Sequence, residues 1–242
     1  MKTFVINLDN AEDRWSHYKG LDVHRWRATP YDEVSDEDAM RMISYHNVPE
    51  KNHLCKTACF LSHLSLWEHI VKHKLNGVLI LEDDAMKVNF NLIGLPSDGI
   101  CYLGGATYTP NMTGKFIKVD NLKDGINEIN FDEYRVLMTM SYYIPNYKIA
   151  EELISMVMTK RRWRAVDVML GDIQKNEHLK AYLHYPAIFE ERPNNSQIQT
   201  KSRKKYAGKD FTLQGPEREP SALHQAQADR LISLPPAFPP SS

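Results

Sequence analysis

The chain has few cysteines, no long apolar run and almost no net charge. Its 242 residues include three cysteines, which are too few for a disulfide framework. Thirty basic residues stand against 31 acidic ones, a formal net charge of -1, so no overall charge attracts nucleic acid. No apolar run approaches the roughly 18 to 20 residues that a membrane-spanning helix needs. The sequence therefore predicts a protein of a reducing compartment with no nucleic-acid partner.

Both ends of the chain add to this expectation. The opening MKTFVINLDNAEDR has one lysine and a short apolar run before its acids, so we expect no secretory signal peptide and a cytoplasmic protein. An apolar fraction of 42% is enough to fill a core, and we predict a single domain over residues 1–202. Six of the thirteen prolines lie between Pro216 and Pro240, so residues 203–242 are predicted to form a disordered, Pro-rich tail.

Short apolar runs that alternate with helical patterns predict an α/β fold. TFVIN, AEDRWSHYKG and VHRWRA give a strand, a helix and a strand, an opening typical of nucleotide-binding folds. The strongest helical pattern covers Cys55–His73 and precedes VLIL, an apolar run of the kind that is buried on both faces in a parallel sheet. The remaining predicted elements are strands in GICYLGG, VLMTMSYYI and LKAYLHYP and helices in YKIAEELISMVM and AVDVMLGDIQ.

Three consecutive carboxylates, Glu82, Asp83 and Asp84, follow VLIL directly. Like charges this close are tolerated when they are splayed into water, partly protonated or neutralised by a cation. The carboxyl ends of strands are where open α/β sheets bind ligands. Oxygen ligands there suit Mg²⁺ or Mn²⁺ bound partly through a substrate diphosphate. Strand alternation predicts that Glu82 and Asp84 point together and that Asp83 points away.

A second cluster of candidate ligands lies in the segment HLCKTACFLSH, whose cysteines and histidines resemble a set of zinc ligands. Cys55, Cys59 and His63 share a helix face, but they span about 12 Å, too far for one tetrahedral ion. Two of them could chelate a metal, while the alternative makes Cys59 a small core residue and leaves Ser62 and His63 to face a ligand.

A basic run contains Lys160, Arg161, Arg162 and Arg164. One interpretation is a solvated loop, and the other is neutralisation of a diphosphate or an anionic acceptor surface. Together with KSRKK it could give weak peripheral contact with the inner face of an anionic membrane. Ordinary solvated charge is the alternative.

A series of segments follows one another in a characteristic order along the chain: FVINLDNAEDRW with HRWRATPYD, ACFLSHLSLWEHIV, GVLILEDDA, ICYLGG, SYYIPNYKIAEELI, RAVDVML and YPAIFEERPNNSQI. In order and spacing these segments resemble glycosyltransferase family 25, the lipopolysaccharide-type β-galactosyltransferases. The resemblance covers about residues 1–200 and omits the tail. Ala58 is a departure, because the family usually has glycine before the cysteine that Cys59 matches.

The resemblance implies a GT-A type fold, Rossmann-like and nucleotide-binding, with a mostly parallel or mixed central sheet flanked by helices. It also implies a nucleotide-sugar donor, a divalent metal (Mn²⁺ or Mg²⁺) and inversion at the anomeric carbon. Asp84, followed by Glu82, is expected to hold the metal, and Asp167 matches the family's aspartate on a late helix and is the expected base. Asp172 and Glu190 are weaker candidates for the base. The expected donor-binding residues are Asn7, Leu8, Arg14, Ser62, His63, Glu82 and Asp83.

The sequence thus predicts a metal-dependent inverting glycosyltransferase. It would move galactose or glucose from a UDP-sugar to a glycan acceptor, such as a lipopolysaccharide core sugar or a lipid-linked oligosaccharide. One alternative is a non-catalytic sugar-nucleotide-binding member of the same fold. Another is a metal-dependent phosphohydrolase, which would need further acids and histidines at other strand ends.

Overall fold

A computed structural model describes residues 1–42, 50–87, 94–110, 116–160, 162–176 and 179–192. Eleven strands lie in this part of the chain: β1 Lys2–Asn7, β2 His24–Arg27, β3 Val78–Glu82, β4 Ala85–Lys87, β5 Ile100–Tyr102, β6 Ala106–Tyr108, β7 Gly125–Glu128, β8 Arg135–Leu137, β9 Ser141–Ile144, β10 Ala181–Tyr185 and β11 Phe189–Glu191. Its α-helices are α1 Glu12–Trp15, α2 Asp36–Arg41, α3 Glu50–Lys72, α4 Tyr147–Thr159 and α5 Val166–Asn176.

Seven of these strands form one mixed sheet in the order β2-β1-β3-β9-β5-β10-β7. Strand β1 is parallel to β2 and β3, and β10 is parallel to β5. Strand β9 runs antiparallel to β3 and β5, and β7 runs antiparallel to β10. Five strands therefore end at the same edge of the sheet, which is the edge where ligands bind in open α/β folds. The predicted α/β class with a mixed central sheet is confirmed.

Both faces of the sheet are covered, as the continuous apolar run in β3 predicts. Val78 and Ile80 belong to a core with side chains of α3, α4 and α5. Leu79 and Leu81 belong to a second core on the other face, with Tyr18. Because successive strand residues point to opposite faces, Glu82 is expected on the same face as Ile80, towards α3.

Several predicted boundaries differ from the observed ones. VLMTMSYYI is two strands, β8 and β9, and the chain between them includes Met138 with a φ of 55°, which no strand accommodates. The predicted first helix is only α1, followed by a 3-10 turn over Ser16–Tyr18. Helix α3 begins before Cys55 and ends at Lys72, one residue before the predicted end.

The predicted tail, residues 203–242, and Arg161 of the basic run lie outside the described residues. Within the part of the chain that the structure describes, no helix is both long enough and apolar enough to cross a membrane.

Candidate functional site

A pocket opens where β1 and β3 end side by side. The register pairs Ile6 with Glu82, so the residues after β1 and the acids after β3 lie at the same edge of the sheet. Helix α3 closes the third side. The pocket is lined by Ile6, Leu8, Arg14, Ala28, Thr29, Tyr31, Cys55, Ala58, Cys59, Ser62, His63, Glu82, Asp83 and Asp84.

Asp83 is held by polar groups from the opening strand and helix. Asn7 Nδ2 donates to Asp83 Oδ2 at 2.7 Å, and Arg14 Nη1 donates to Asp83 Oδ1 at 2.5 Å. Arg25 Nε in turn donates to Asn7 Oδ1 at 2.9 Å. A guanidinium and an amide together compensate the charge of Asp83, so this carboxylate connects β1 and α1 to the turn after β3.

The pKa values of Glu82 and Asp84 are raised. Burial raises the pKa of Glu82 to about 8, and the charges of Asp167 and Asp83 add to the effect. Burial likewise raises the pKa of Asp84 to about 8, with added effects of Glu82 and Glu191. Asp84 Oδ1 is buried and has no hydrogen-bond partner among the described residues.

A divalent cation fits this arrangement. The cation would neutralise two partly buried carboxylates, Glu82 and Asp84, whose ionisation is opposed by burial and like charge. The buried Asp84 Oδ1 would also gain a partner. Both carboxylates supply the hard oxygen ligands that Mg²⁺ and Mn²⁺ prefer.

The prediction that Asp83 points away from Glu82 and Asp84 stays a prediction, although all three acids line one pocket. The carboxylate of Glu82 lies beside His63 of α3, whereas Asp83 accepts from Asn7 of β1 and Arg14 of α1. Strand β3 ends at Glu82, and Asp83 and Asp84 lie in the turn that follows. Side-chain alternation requires an extended backbone, so it does not decide the direction of Asp84.

His63 stands on the inner wall of the pocket. It is 1% exposed, and burial lowers the pKa of its imidazole to about 4. Its Nδ1 lies 2.7 Å from Tyr142 Oη, to which Trp67 Nε1 donates at 2.9 Å. Its Nε2 lies 3.4 Å from Glu82 Oε1. The ring is therefore neutral and held with one nitrogen facing the acids.

The metal-ligating atoms of Cys59, His63 and Glu82 all lie within 4.8 Å of one another. Burial raises the pKa of the Cys59 thiol well above its usual value, and the charge of Glu82 adds to this. Cys55, the third member of the predicted zinc set, does not belong to this group. The structure thus pairs Cys59 and His63 with Glu82, which the spacing on one helix could not indicate.

Ser62 and the residues after β1 shape the remaining wall. Ser62 Oγ donates to the carbonyl of Ala58 at 2.7 Å and accepts from the amide of Thr29 at 2.9 Å. The hydroxyl therefore fastens α3 to the segment that follows β2. Leu8 lines the pocket, and its carbonyl accepts from Arg25 Nη2 at 3.0 Å.

Asp167 lies at the start of α5, near the acids. Its Oδ2 accepts from the amide of Met138 and its Oδ1 from the amide of Val168, both at 2.8 Å. Its charge makes the largest contribution after burial to raising the pKa of Glu82. The structure therefore brings Asp167 within electrostatic reach of the predicted metal site, although it does not line the pocket itself.

Asp172, one of the weaker base candidates, has charged partners on both oxygens. Arg135 Nη1 donates to Oδ1 at 3.0 Å, and Arg164 Nη1 donates to Oδ2 at 2.9 Å. Arg164 of the predicted basic run thus has an acidic partner within the fold, while Arg162 is exposed. Asp172 connects α5 to β8, and its role as a base stays a prediction.

Glu191, which the sequence reading missed, contributes to the acid cluster. Strand β11 pairs with β4, opposite Ala85, and the amide of Arg192 donates to the carbonyl of Asp84 at 2.8 Å. After burial and Glu82, the charge of Glu191 is the next cause of the raised pKa of Asp84. Alternation along β11 places the side chain of the predicted Glu190 on the opposite face. The segment EER marks two acidic residues in the sequence, Glu190 and Glu191, but it does not show which of the two faces the acids after β3.

Tyr18 is a second residue of the site that the sequence did not predict. Its hydroxyl donates to the carbonyl of Ala85 at 2.5 Å and lies 3.3 Å from the carbonyl of Glu82. It therefore braces the turn that carries the acids. No local pattern marks such a residue, because its partners are 64 and 67 positions away in the sequence.

Residues 1–93 match the sequence model of glycosyltransferase family 25, described as LPS biosynthesis protein. The resemblance is thereby confirmed over the part of the chain that runs from β1 through the acids after β3. The match indicates a glycosyltransferase, which uses a sugar donor and a glycan acceptor. No curated protein matches the chain.

Proposed function

We propose that this protein is a metal-dependent inverting glycosyltransferase of the GT-A type. It transfers galactose or glucose from a UDP-sugar to a glycan acceptor, such as a lipopolysaccharide core sugar or a lipid-linked oligosaccharide. The observation that carries the proposal is the pair of partly buried carboxylates with raised pKa values, Glu82 and Asp84, in a pocket at the end of β3. The family match over residues 1–93 includes both residues.

The donor side of the reaction needs positive charge beside a diphosphate. Glu82 and Asp84 would hold Mn²⁺ or Mg²⁺. A cation held there would supply stabilisation of the negative charge on the leaving diphosphate. Arg14 lines the same pocket with a side chain 13% exposed, and its ion pair with Asp83 fixes the position from which it attracts phosphate oxygens.

The nucleoside would occupy the wall formed by the residues after β1 and β2. Leu8 and Ala28 supply apolar surface there. Tyr31, 42% exposed, offers an aromatic face on which a base can stack. Asn7 orients Asp83 and so acts on the donor site indirectly.

The acceptor side needs a base that takes a proton from the attacking hydroxyl. Asp167 is the residue we propose. Two backbone amides fix the orientation of its carboxylate, and a carboxylate with two accepted hydrogen bonds keeps further lone pairs for an acceptor hydroxyl. Inversion requires this hydroxyl to attack on the face of the sugar opposite the diphosphate.

A thermal-shift panel tests the donor and the metal together. UDP, GDP, CMP and dTDP sugars are compared with and without Mn²⁺. We expect UDP-galactose or UDP-glucose with Mn²⁺ to raise the melting temperature, because a ligand at a hundred times its Kd stabilises the native state by about 2.7 kcal/mol, roughly 5–10 °C here. Transfer of radiolabelled hexose to a glycan acceptor then measures the activity.

Asp84→Ala should abolish the Mn²⁺-dependent shift. The matched control is Glu68→Ala, which removes an exposed carboxylate of α3 and should keep the shift. Equal calorimetric binding of donor to the Asp84 variant and the wild type would contradict the metal role. Release of phosphate without sugar transfer would favour a phosphohydrolase, and donor binding without turnover would favour a non-catalytic binding protein.

A further inference from the structure

Three side chains with different ligand chemistry meet on the inner wall of the pocket. Cys59 and His63 are four residues apart on α3, so both face the end of β3, where Glu82 lies. Their sulfur, nitrogen and oxygen ligand atoms all lie within 4.8 Å of one another. Ligand atoms around a tetrahedral Zn²⁺ are roughly 3.5 Å apart, given bond lengths of about 2.0–2.3 Å. Small side-chain shifts would therefore bring the three into one coordination sphere.

His63 is prepared for such a role. It is 1% exposed, and its buried Nε2 has no hydrogen-bond partner among the described residues. That nitrogen faces Glu82 Oε1 at 3.4 Å. Its other nitrogen lies 2.7 Å from Tyr142 Oη, and Trp67 fixes this hydroxyl with a further hydrogen bond. An outer partner that orients the ring is the usual surrounding of a metal-ligating histidine.

We propose that Cys59, His63 and Glu82 bind a thiophilic divalent cation such as Zn²⁺, with the fourth coordination position open to the pocket. All three residues line the pocket, and three protein ligands with an open position form the arrangement found in accessible zinc sites. The sulfur ligand distinguishes this site from that of the diphosphate cation, because thiolates favour Zn²⁺ over Mg²⁺ and Mn²⁺. On binding, Cys59 forms the metal–sulfur bond and releases its thiol proton to solvent.

The two metal sites share Glu82. A Zn²⁺ ion held by Glu82, Cys59 and His63 takes this carboxylate from the cation beside the diphosphate. Zn²⁺ is therefore expected to weaken Mn²⁺-dependent donor binding, a consequence that rests on the proposed function. The zinc site itself does not depend on it.

Titration of the metal-free protein with Co²⁺ tests the site, because Co²⁺ replaces Zn²⁺ and reports a thiolate ligand by sulfur-to-cobalt charge-transfer absorption. We expect this absorption in the wild type and its loss in Cys59→Ser. The matched control is Cys55→Ser, which changes the other cysteine on the pocket wall and should keep the absorption. Asp84→Asn should keep it as well, which separates this site from the diphosphate cation.

A folded wild type without the thiolate absorption would overturn the proposal. So would absorption that persists in Cys59→Ser or disappears in Cys55→Ser, with folding checked by circular dichroism. If Cys59→Ser does not fold, Tyr142→Phe provides a second test. It removes the oxygen beside His63 Nδ1 and should lower Zn²⁺ affinity about 10-fold or more, and unchanged affinity would refute the site. No sugar nucleotide is present, so failure here is distinct from failure of donor binding.

Discussion

The fold disfavours the ionised form of two carboxylates, Glu82 and Asp84. Each is placed where burial and neighbouring acids favour the protonated form. Such a placement lowers stability in the absence of a cation and is typical of functional sites rather than of structural ones. Asp83 contrasts with them, since Arg14 and Asn7 compensate its charge. Three adjacent residues of similar chemistry thus have two different roles.

Asp84→Asn should stabilise the metal-free protein at alkaline pH. The folded-state pKa of Asp84, about 8, is above the ordinary aspartate value of 3.8, so the unfolded chain loses its proton first as pH rises. The free energy of unfolding of the wild type therefore falls from about pH 4 to about pH 8. The variant does not show this decrease, because asparagine does not ionise. At about pH 8 we expect the variant to melt higher by about 2–4 °C for each kcal/mol regained.

Melting curves in a chelator at several pH values measure this effect. Asp83→Asn is the matched control and should not melt higher, because it removes the partner of Arg14. Added Mn²⁺ should raise the melting temperature of the wild type and not that of Asp84→Asn. A variant that melts no higher than the wild type at about pH 8 would show that the fold does not oppose this charge.

At the scale of elements, α3 and β3 together build the site. Helix α3 presents Cys59, Ser62 and His63 at spacings of three and four, so all three lie on one face. Strand β3 ends at Glu82, opposite this face. Helix α5 adds Asp167 from a third direction, with hydrogen bonds that reach the chain between β8 and β9.

The variant Asp167→Asn tests whether Asp167 acts as the base, apart from its structural hydrogen bonds at the start of α5. The side-chain amide keeps one of the two hydrogen bonds accepted from the backbone and turns its NH2 towards the other donor, so the variant should melt somewhat lower than the wild type, while the proton acceptor is lost. We expect turnover to fall about 100-fold or more with donor binding retained. Asp167→Ala loses both hydrogen bonds, to Met138 and to Val168, so its free energy of unfolding should fall by about 1–3 kcal/mol and it should melt lower than Asp167→Asn.

Turnover assays with saturating donor, together with calorimetric donor binding and melting curves, distinguish these outcomes. Near wild-type turnover of Asp167→Asn with intact donor binding would show that another group takes the proton. Asp172→Asn and Glu190→Gln would then be the variants to compare.

At the scale of the whole molecule, the order of the strands brings distant segments together. Asn7 and Asp83 are 76 positions apart in the sequence, but β1 and β3 are neighbours in the sheet and end at the same edge. Strand β11 reaches the acids from a still later segment through its pairing with β4. The site is thus complete only when residues near 190 are in place.

Removal of residues 203–242 should leave the fold and the donor site intact. Their Pro-rich composition predicts no packed structure, so the melting temperature of the shortened chain should stay within about 2 °C of the full chain. The Mn²⁺-dependent shift with donor should also remain. A chain that ends at Tyr185 is the control, because it removes β11 with Glu191, and it should lose stability.

Melting curves and donor titrations of the three chains provide the measurement. A large loss of stability on removal of residues 203–242 would contradict the prediction that the domain ends near residue 202.

The sequence by itself predicted the main strands and helices and the position of the acids. The continuous apolar run before Glu82 is typical of a strand buried on both faces, and the helical spacing in Cys55–His73 predicts the face that carries His63. Such patterns are local, since backbone geometry repeats every two or 3.6 residues. They predicted the α/β class and the binding edge of the sheet, but missed the break at Met138, where the backbone leaves the strand region.

Only the tertiary structure decided which partners these residues have. It pairs Asp83 with Arg14, adds the charge of Glu191 to those acting on Asp84, and brings Glu82 to Cys59 and His63. Burial and the charges of distant segments then raise the pKa of Glu82 and Asp84. These properties depend on distances between segments that are remote in the sequence. A sequence pattern that repeats every few residues does not specify such distances.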